Sequence, residues 1–373
     1  MIFLDNAGTT KMFEECVEVH KTFSCDQFYN PSALSIQSLE VSKLLNDAEQ
    51  FFLKRLDVKE GSVIFTGCAT ESNNLAVKGS LRNGDWEYVF SAGEHPSVFN
   101  IAKKLELDGY KVHIIPLDKN GRVDLVKLEA VLNSKTRLIS IMHVSNETGA
   151  INDIEKISLL KNKYCPRAIY HVDGVQGFMK IPFSLRKTAV DLYSFSAHKL
   201  HGPKGVAGLY VKNKNALKEL FQGGGQQYGL RSGTENVSGV MQFKRAVELI
   251  DECENYKKVY SLKTAFNNEL NVVEGLKVLD FNGSPYIESL IFGGVKGETM
   301  LHALNEKGVI VGLGSACSSK KAGNRILENI GVAKEEIVSS VRISFNAYQT
   351  ESEIREAARI IKEVYQNIKE RVS

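Results

Sequence analysis

Between about residue 60 and residue 212 the chain alternates short β-rich runs with helical periodicity, and that alternation leaves few folds open. The β-rich runs are Val63–Thr66, Tyr88–Ser91, Val112–Ile115, Leu138–His143, Ala168–Val172, Val190–Phe195 and Val206–Val211. Helical patterns fall at Thr70–Gly79, Ser97–Asp108, Asp124–Leu132 and Asp153–Tyr164. Strands joined through helices need crossover connections, so the expected fold is α/β, with a mainly parallel seven-stranded sheet covered on both faces. Ligands of such sheets bind beyond the carboxyl ends of the strands.

Past this region the pattern changes. From Thr234 to about Leu270 it is helical, with no Pro or Gly after Gly239, and predicts one long helix joining two domains. A smaller α/β unit follows, with strands near Val278, Leu290 and Val341 and helices at Glu298–Lys307 and Glu351–Lys369. A length of 373 residues also suits two domains. With 47 Lys and Arg against 44 Asp and Glu, bulk charge predicts no nucleic-acid footprint. Cys16, Cys25, Cys68, Cys165, Cys253 and Cys317 are scattered, without a CxxC, which argues against a disulfide framework and a zinc site. The start, Met1 to Asp5, carries an acid and no basic stretch and does not read as a signal peptide. No apolar run approaches membrane-spanning length. A reducing cytoplasm is the expected compartment.

The polar residues with chemical potential cluster at the predicted strand ends. Asp173 closes the run Ala168–Val172, and Lys199 follows Val190–Phe195 within Ser196-Ala197-His198-Lys199. A carboxylate and an amine at one sheet edge are what pyridoxal phosphate requires: a Lys for the Schiff base and an acid for the pyridinium nitrogen. Thr66-Gly67-Cys68-Ala69-Thr70 runs from a strand into a helix, whose first-turn N–H groups suit a phosphate; a plain cap by Thr70 is the alternative. His95 follows another strand, where it can stack on a ring and shuttle protons, although a lone His is more often structural. Asn146 is either a ligand to the cofactor's phenolic oxygen or an ordinary turn residue.

Two loops stand apart. Phe221 to Thr234 is Gly-rich and predicts a mobile loop or linker, with Thr234 placed to reach a phosphate. Gly314-Ser315-Ala316-Cys317-Ser318-Ser319-Lys320-Lys321 sets one cysteine among small and basic neighbours that favour its thiolate. The other five cysteines read as buried and inert. Arg342 interrupts an apolar strand, Ser340 to Ser344, and must meet an anion there. Either a structural salt bridge or a clamp on a substrate carboxylate answers that need.

Taken in order along nearly the whole chain, these motifs resemble the cysteine desulfurases of the class V, fold-type I pyridoxal-phosphate enzymes. The likeness runs through Leu4-Asp5-Asn6-Ala7-Gly8-Thr9-Thr10, Asn30-Pro31-Ser32, Ala69 to Asn74, Glu94-His95, His171-Val172-Asp173, Ser196 to Lys199, Arg231 to Asn236 and Gly314 to Cys317. The resemblance implies a large cofactor-binding domain at 14–255. It also implies a small domain of 256–373, joined by 1–13, that carries the catalytic cysteine loop. Lys199 would be the Schiff-base lysine, Asp173 the pyridinium partner, and His95 the stacked catalytic residue. Gln176 and Asn146 would bond the phenolic oxygen. Ala69, Thr70, Ser196 and His198 would hold the phosphate, with Thr234 supplied by the other subunit of a homodimer. Asn30 and Arg342 would bind the carboxylate of L-cysteine.

Cys317 would take the sulfur as a persulfide, releasing L-alanine, and pass it to an iron–sulfur scaffold or a tRNA-thiolating enzyme. Gly174 and Ser35 stand where the family often has Ala and His, and Gln226-Gln227 where it often has acidic or His residues. The alternatives are a selenocysteine lyase or another class V enzyme, and, from a different class, a catalytically silent scaffold. Intact Lys199, Asp173, His95, Cys317 and Arg342 speak against the scaffold.

Overall fold

A computed structural model describes residues 1–270, 273–279, 281–313 and 324–372. In chain order its strands are β1 (Ile2–Phe3), β2 (Ser62–Thr66), β3 (Glu87–Ser91), β4 (Lys111–Ile115), β5 (Thr136–Ser140) and β6 (Ile169–Asp173). They continue as β7 (Leu192–Ser196), β8 (Ala207–Val211), β9 (Leu276–Leu279), β10 (Ile287–Phe292), β11 (Val309–Ile310) and β12 (Ser340–Ser344). Seven of them form one sheet in the order β2-β8-β7-β6-β5-β3-β4. All run parallel except β8, which is antiparallel to both β2 and β7. The exception has a local cause. Only residues 197–206 separate β7 from β8, too short a stretch for a helical crossover but enough to turn back.

Alternate residues of each strand enter opposite cores. Val63, Phe65 and Val89 face the helices Ile36–Arg55 and Val237–Glu248, where Phe52 packs against Phe65, Phe195 and Phe243. Ile64, Tyr88 and Phe90 face the helices Ala69–Gly79 and Pro96–Leu107. A sheet buried on both sides therefore reads as the unbroken apolar runs seen in the sequence.

The smaller sheet is antiparallel, β12-β10-β9, and β1 pairs in parallel with β11. Ile2 and Leu4 share a core with Leu290, Phe292, Val341, Ile343 and the helix Glu351–Val372. Bridges from Asp5 to Ser344 and from Gly312 to Arg342 bring the N-terminal segment and residue 342 together.

The long helix expected over 234–270 is instead two, Val237–Glu248 and Glu252–Leu270. Asn236 caps the first through its side chain, accepting from Gly239 N at 2.9 Å. Asp251 starts the second, its Oδ1 accepting from Glu254 N at 3.0 Å. The Asp–x–x–Glu spacing at 251–254 is a helix-start signal that an uninterrupted apolar period conceals. The 20-residue helix Ile36–Arg55 was not expected from its pattern. Ser35 caps it, accepting from Ser38 N at 3.2 Å, which gives the departure at that position a structural purpose.

Candidate active site

The carboxyl ends of β2, β3, β5, β6 and β7 open onto a cavity of about 320 Å³. The turn after β2 contributes Cys68, Ala69 and Thr70, and the turn after β3 contributes His95 and Ser97. Met142, Val144 and Asn146 come from beyond β5, Asp173 and Gln176 from β6 and its turn, and His198 and Lys199 from the turn after β7. Ala7, Gly8 and Arg342 close it from the side of the smaller sheet. Nearly every described residue singled out from sequence thus meets at one place. Asn30, Thr234 and Ser196 are the exceptions: none lines the cavity, Asn30 and Thr234 being exposed and Ser196 buried at the end of β7. Cys317 lies outside the described residues.

Asp173, the last residue of β6, is buried. Its Oδ2 accepts from Asn73 Nδ2 at 2.7 Å and its Oδ1 from Val175 N at 3.1 Å. Asn73 also donates to Ser97 Oγ at 2.9 Å, so it braces the carboxylate against the His95 turn. Sequence reasoning missed Asn73 as a site residue. Its signal was available, since it lies four residues, about one helical turn, after Ala69 and so faces the same way.

Lys199 Nζ donates to Ala7 O at 2.6 Å and Gly8 O at 2.5 Å. Burial, reinforced by repulsion from Arg342 and opposed by Asp5 and Asp173, brings its pKa down to about 8. His95 is also held below its ordinary value, by burial first, with Asp173 pulling upward and Lys199 downward. Its Nδ1 lies 2.8 Å from Ser97 Oγ and accepts from Ser97 N at 3.1 Å, which fixes the ring at the start of the helix Pro96–Leu107. His198 is lowered to about 4 by burial and then by the Lys199 charge.

Arg342 makes the structural ion pair and also reaches the cavity. Nη2 donates to Asp5 Oδ1 at 2.8 Å and Nη1 to Asn146 O at 2.9 Å, yet the side chain also lines the cavity. Its buried Nε has no hydrogen-bond partner among the described residues.

Three further expectations need correction. Cys25, Cys68 and Cys253 are exposed rather than buried, and Cys68 faces the cavity; only Cys16 and Cys165 among the described cysteines are buried. Periodicity could not separate them, because a small residue at a turn or on a helix end reads like one in a core. Thr70 is not the cap of its helix: Cys68 takes that position and makes no side-chain capping bond. The Gly-rich loop is pinned at its centre. Gln227 Oε1 accepts from Phe65 N at 2.6 Å and its Nε2 donates to Phe65 O at 2.7 Å, pairing with β2 at the sheet edge as a further strand would. Gln226 Oε1 accepts from Gly233 N at 2.9 Å.

Gly174 has an equally concrete reason. A Cβ there would fall inside the ring of Tyr193, whose hydroxyl lies 3.1 Å from His143 Nδ1. The ring occupies the space that an Ala methyl would need.

A model of the class-V aminotransferase family matches residues 2–356. A protein of Trichormus variabilis named cysteine desulfurase 2 is 32% identical, over 99% of this chain and 94% of its own length. The chain belongs to the class-V aminotransferase family, in its cysteine desulfurase branch. A solved NifS-like protein superposes with a TM-score of 0.91 at 32% identity, covering 98% of this chain and 99% of its own. A second structure, of SspA in complex with cysteine, superposes with a TM-score of 0.82 at 27% identity, covering 94% of this chain and all of that one (100%).

The family's enzymes depend on pyridoxal phosphate, and the residues present suit it. The helix Ala69–Gly79 presents an uncapped N-terminus to the cavity. Ser196 Oγ and Asn146 Oδ1 are buried with no hydrogen-bond partner among the described residues, as polar atoms awaiting a ligand would be. A carboxylate and an amine with a depressed pKa complete the set.

Proposed function

We propose that this chain is a cysteine desulfurase. It takes L-cysteine to L-alanine and carries the sulfur away as a persulfide on Cys317. The observation that carries this reading is the meeting of Lys199, Asp173 and Arg342 on one cavity at the strand ends. The naming of relatives as desulfurases, and the cysteine bound to a solved relative, support the substrate.

Bound pyridoxal phosphate supplies an electron sink for charge developing at the substrate's Cα. Lys199 would hold the cofactor, and Asp173, oriented by Asn73, would keep a proton on its ring nitrogen. His95 would lie over the ring, and Asn146 and Gln176 would face the phenolic oxygen. Ala69, Thr70, Ser196 and His198 would take the phosphate, joined by Thr234 of the partner subunit in a homodimer. Exposure of Thr234 in the single chain is consistent with that assignment.

Arg342 would grip the substrate carboxylate, with Asn30 alongside. Lys199, whose low pKa leaves it partly neutral near pH 8, would move the Cα proton. The Cys317 thiolate would attack the substrate sulfur; the Cβ–Sγ bond breaks, the sulfur stays on Cys317, and the carbon product leaves, protonated at Cβ, as L-alanine.

The acceptor would be an iron–sulfur scaffold or a tRNA-thiolating enzyme, reached in a reducing cytoplasm by an enzyme that binds neither nucleic acid nor membrane itself. Among the described residues no helix is long and apolar enough to cross a membrane.

The decisive experiment loads the protein with pyridoxal phosphate and follows alanine from L-cysteine, with selenocysteine in parallel. Stoichiometric alanine with sulfur recovered from Cys317 is expected. No alanine from a visibly loaded protein would overturn the reading, and turnover restricted to selenocysteine would make the chain a selenocysteine lyase.

A further inference from the structure

Lys180 has no part in the roles above, yet it is buried beside the cavity at 6% exposure. Its Nζ donates to Gln176 Oε1 at 2.9 Å and lies 5.8 Å from the centre of the Tyr286 ring. The charges that bear on it, Lys199 and Arg342, both repel it. A buried ammonium in such company is costly and calls for a compensating purpose.

The purpose is visible in what Gln176 does next. Its Nε2 donates to Ala7 O at 3.0 Å, the same oxygen that receives Lys199 Nζ at 2.6 Å. A glutamine amide is nearly symmetric in shape, so packing alone does not choose which end is the donor. Its two neighbours do. The Lys180 ammonium can only donate, and the Ala7 carbonyl can only accept. One orientation satisfies both; turning the amide over would set N–H against ammonium and carbonyl against carbonyl.

We infer that Lys180 is a positioning residue, which holds the Gln176 amide with its N–H side toward Ala7 and the cavity wall. Resting on the reading proposed above, this gives the cofactor's phenolic oxygen a fixed donor rather than an acceptor. A donor there stabilises the unprotonated oxygen and lowers the pH at which the bound cofactor's visible band titrates.

The test compares the wild-type holoenzyme with Lys180→Met, Lys180→Arg, Gln176→Leu and the double variant Lys180→Met/Gln176→Leu. In Lys180→Met the pH midpoint of the visible band should rise by about one unit, while Lys180→Arg stays near wild type. The double variant should shift no further than Gln176→Leu alone. An unchanged midpoint in Lys180→Met overturns the inference. So does full additivity in the double variant, because Lys180 would then act by its charge and not through Gln176. Circular dichroism verifies folding, and Lys180→Ala replaces Lys180→Met where the latter does not fold.

A second readout needs no cofactor. In cofactor-free protein labelled with 15N-glutamine, the side-chain amide signal that disappears in Gln176→Leu should exchange slowly in wild type and Lys180→Arg, and fast in Lys180→Met. Equal exchange in all three would sink the positioning role. A wild type without any visible band, by contrast, would count against the cofactor reading alone.

Discussion

Arg342 Nη2 donates to Asp5 Oδ1 across 2.8 Å, joining residues 337 positions apart. This ion pair ties β12 to the N-terminal segment that forms one wall of the cavity, and it leaves the rest of the guanidinium at the cavity surface. One side chain therefore serves the interlock and remains in reach of a ligand. A charge-assisted contact to a substrate carboxylate contributes about 1.5–3 kcal/mol. Arg342→Ala is expected to raise the cysteine concentration for half-saturation by about tenfold or more, with the cofactor spectrum intact. Unchanged saturation together with a lower melting temperature would make Arg342 a purely structural ion pair.

Lys199 should leave a pH signature in the cofactor-free protein. Its pKa is about 8 when folded against an ordinary 10.5, so the folded state binds fewer protons between those values. Stability contributed through this group is lowest below about pH 8 and rises with pH until the unfolded lysine also loses its proton. The wild type should gain stability relative to Lys199→Met on going from pH 8 to pH 10 in urea unfolding. A difference independent of pH would remove the claimed shift.

Gly174→Ala should be destabilising because the new methyl meets the Tyr193 ring. Overpacking of this kind costs about 1–3 kcal/mol. Tyr193→Val in the same background should recover part of the loss, and a double-mutant cycle measures the coupling. Additive effects would show that the ring is not the obstacle.

Cys317→Ser should still bind pyridoxal phosphate, since Lys199 and Asp173 are untouched, but alanine release and persulfide formation should collapse. Mass spectrometry after one turnover should place the extra sulfur on the Cys317 peptide. Cys68 is the control that matters most, because it is exposed and lines the cavity. Sulfur found there would reassign the acceptor.

Borohydride reduction of the loaded protein should fix the cofactor's mass on the Lys199 peptide and bleach the visible colour. A label on Lys180, which is buried beside the cavity, would exchange their roles.

The amino-acid sequence by itself determined the layered α/β architecture and most of the site. Doubly buried strands must be apolar throughout, and the polar residue that ends each run is then conspicuous; that is why Asp173, His95, Asn146 and Lys199 stood out in a linear reading. The helix break at 249–251 was written in Asp251 and Glu254 but masked by a continuous helical period. What only tertiary structure decided is how residues far apart in sequence satisfy one another. Asn73 braces Asp173 from the helix Ala69–Gly79, Gln227 pairs with the edge of β2 across 162 residues, and Ala7 O collects both Gln176 and Lys199. Each is a polar group satisfied by a partner a hundred or more residues away, and a hydrogen bond of that kind leaves no periodic trace in either segment. Short-range pattern specifies which elements form and which faces they bury; the pairing of buried donors with acceptors exists only once those faces have met.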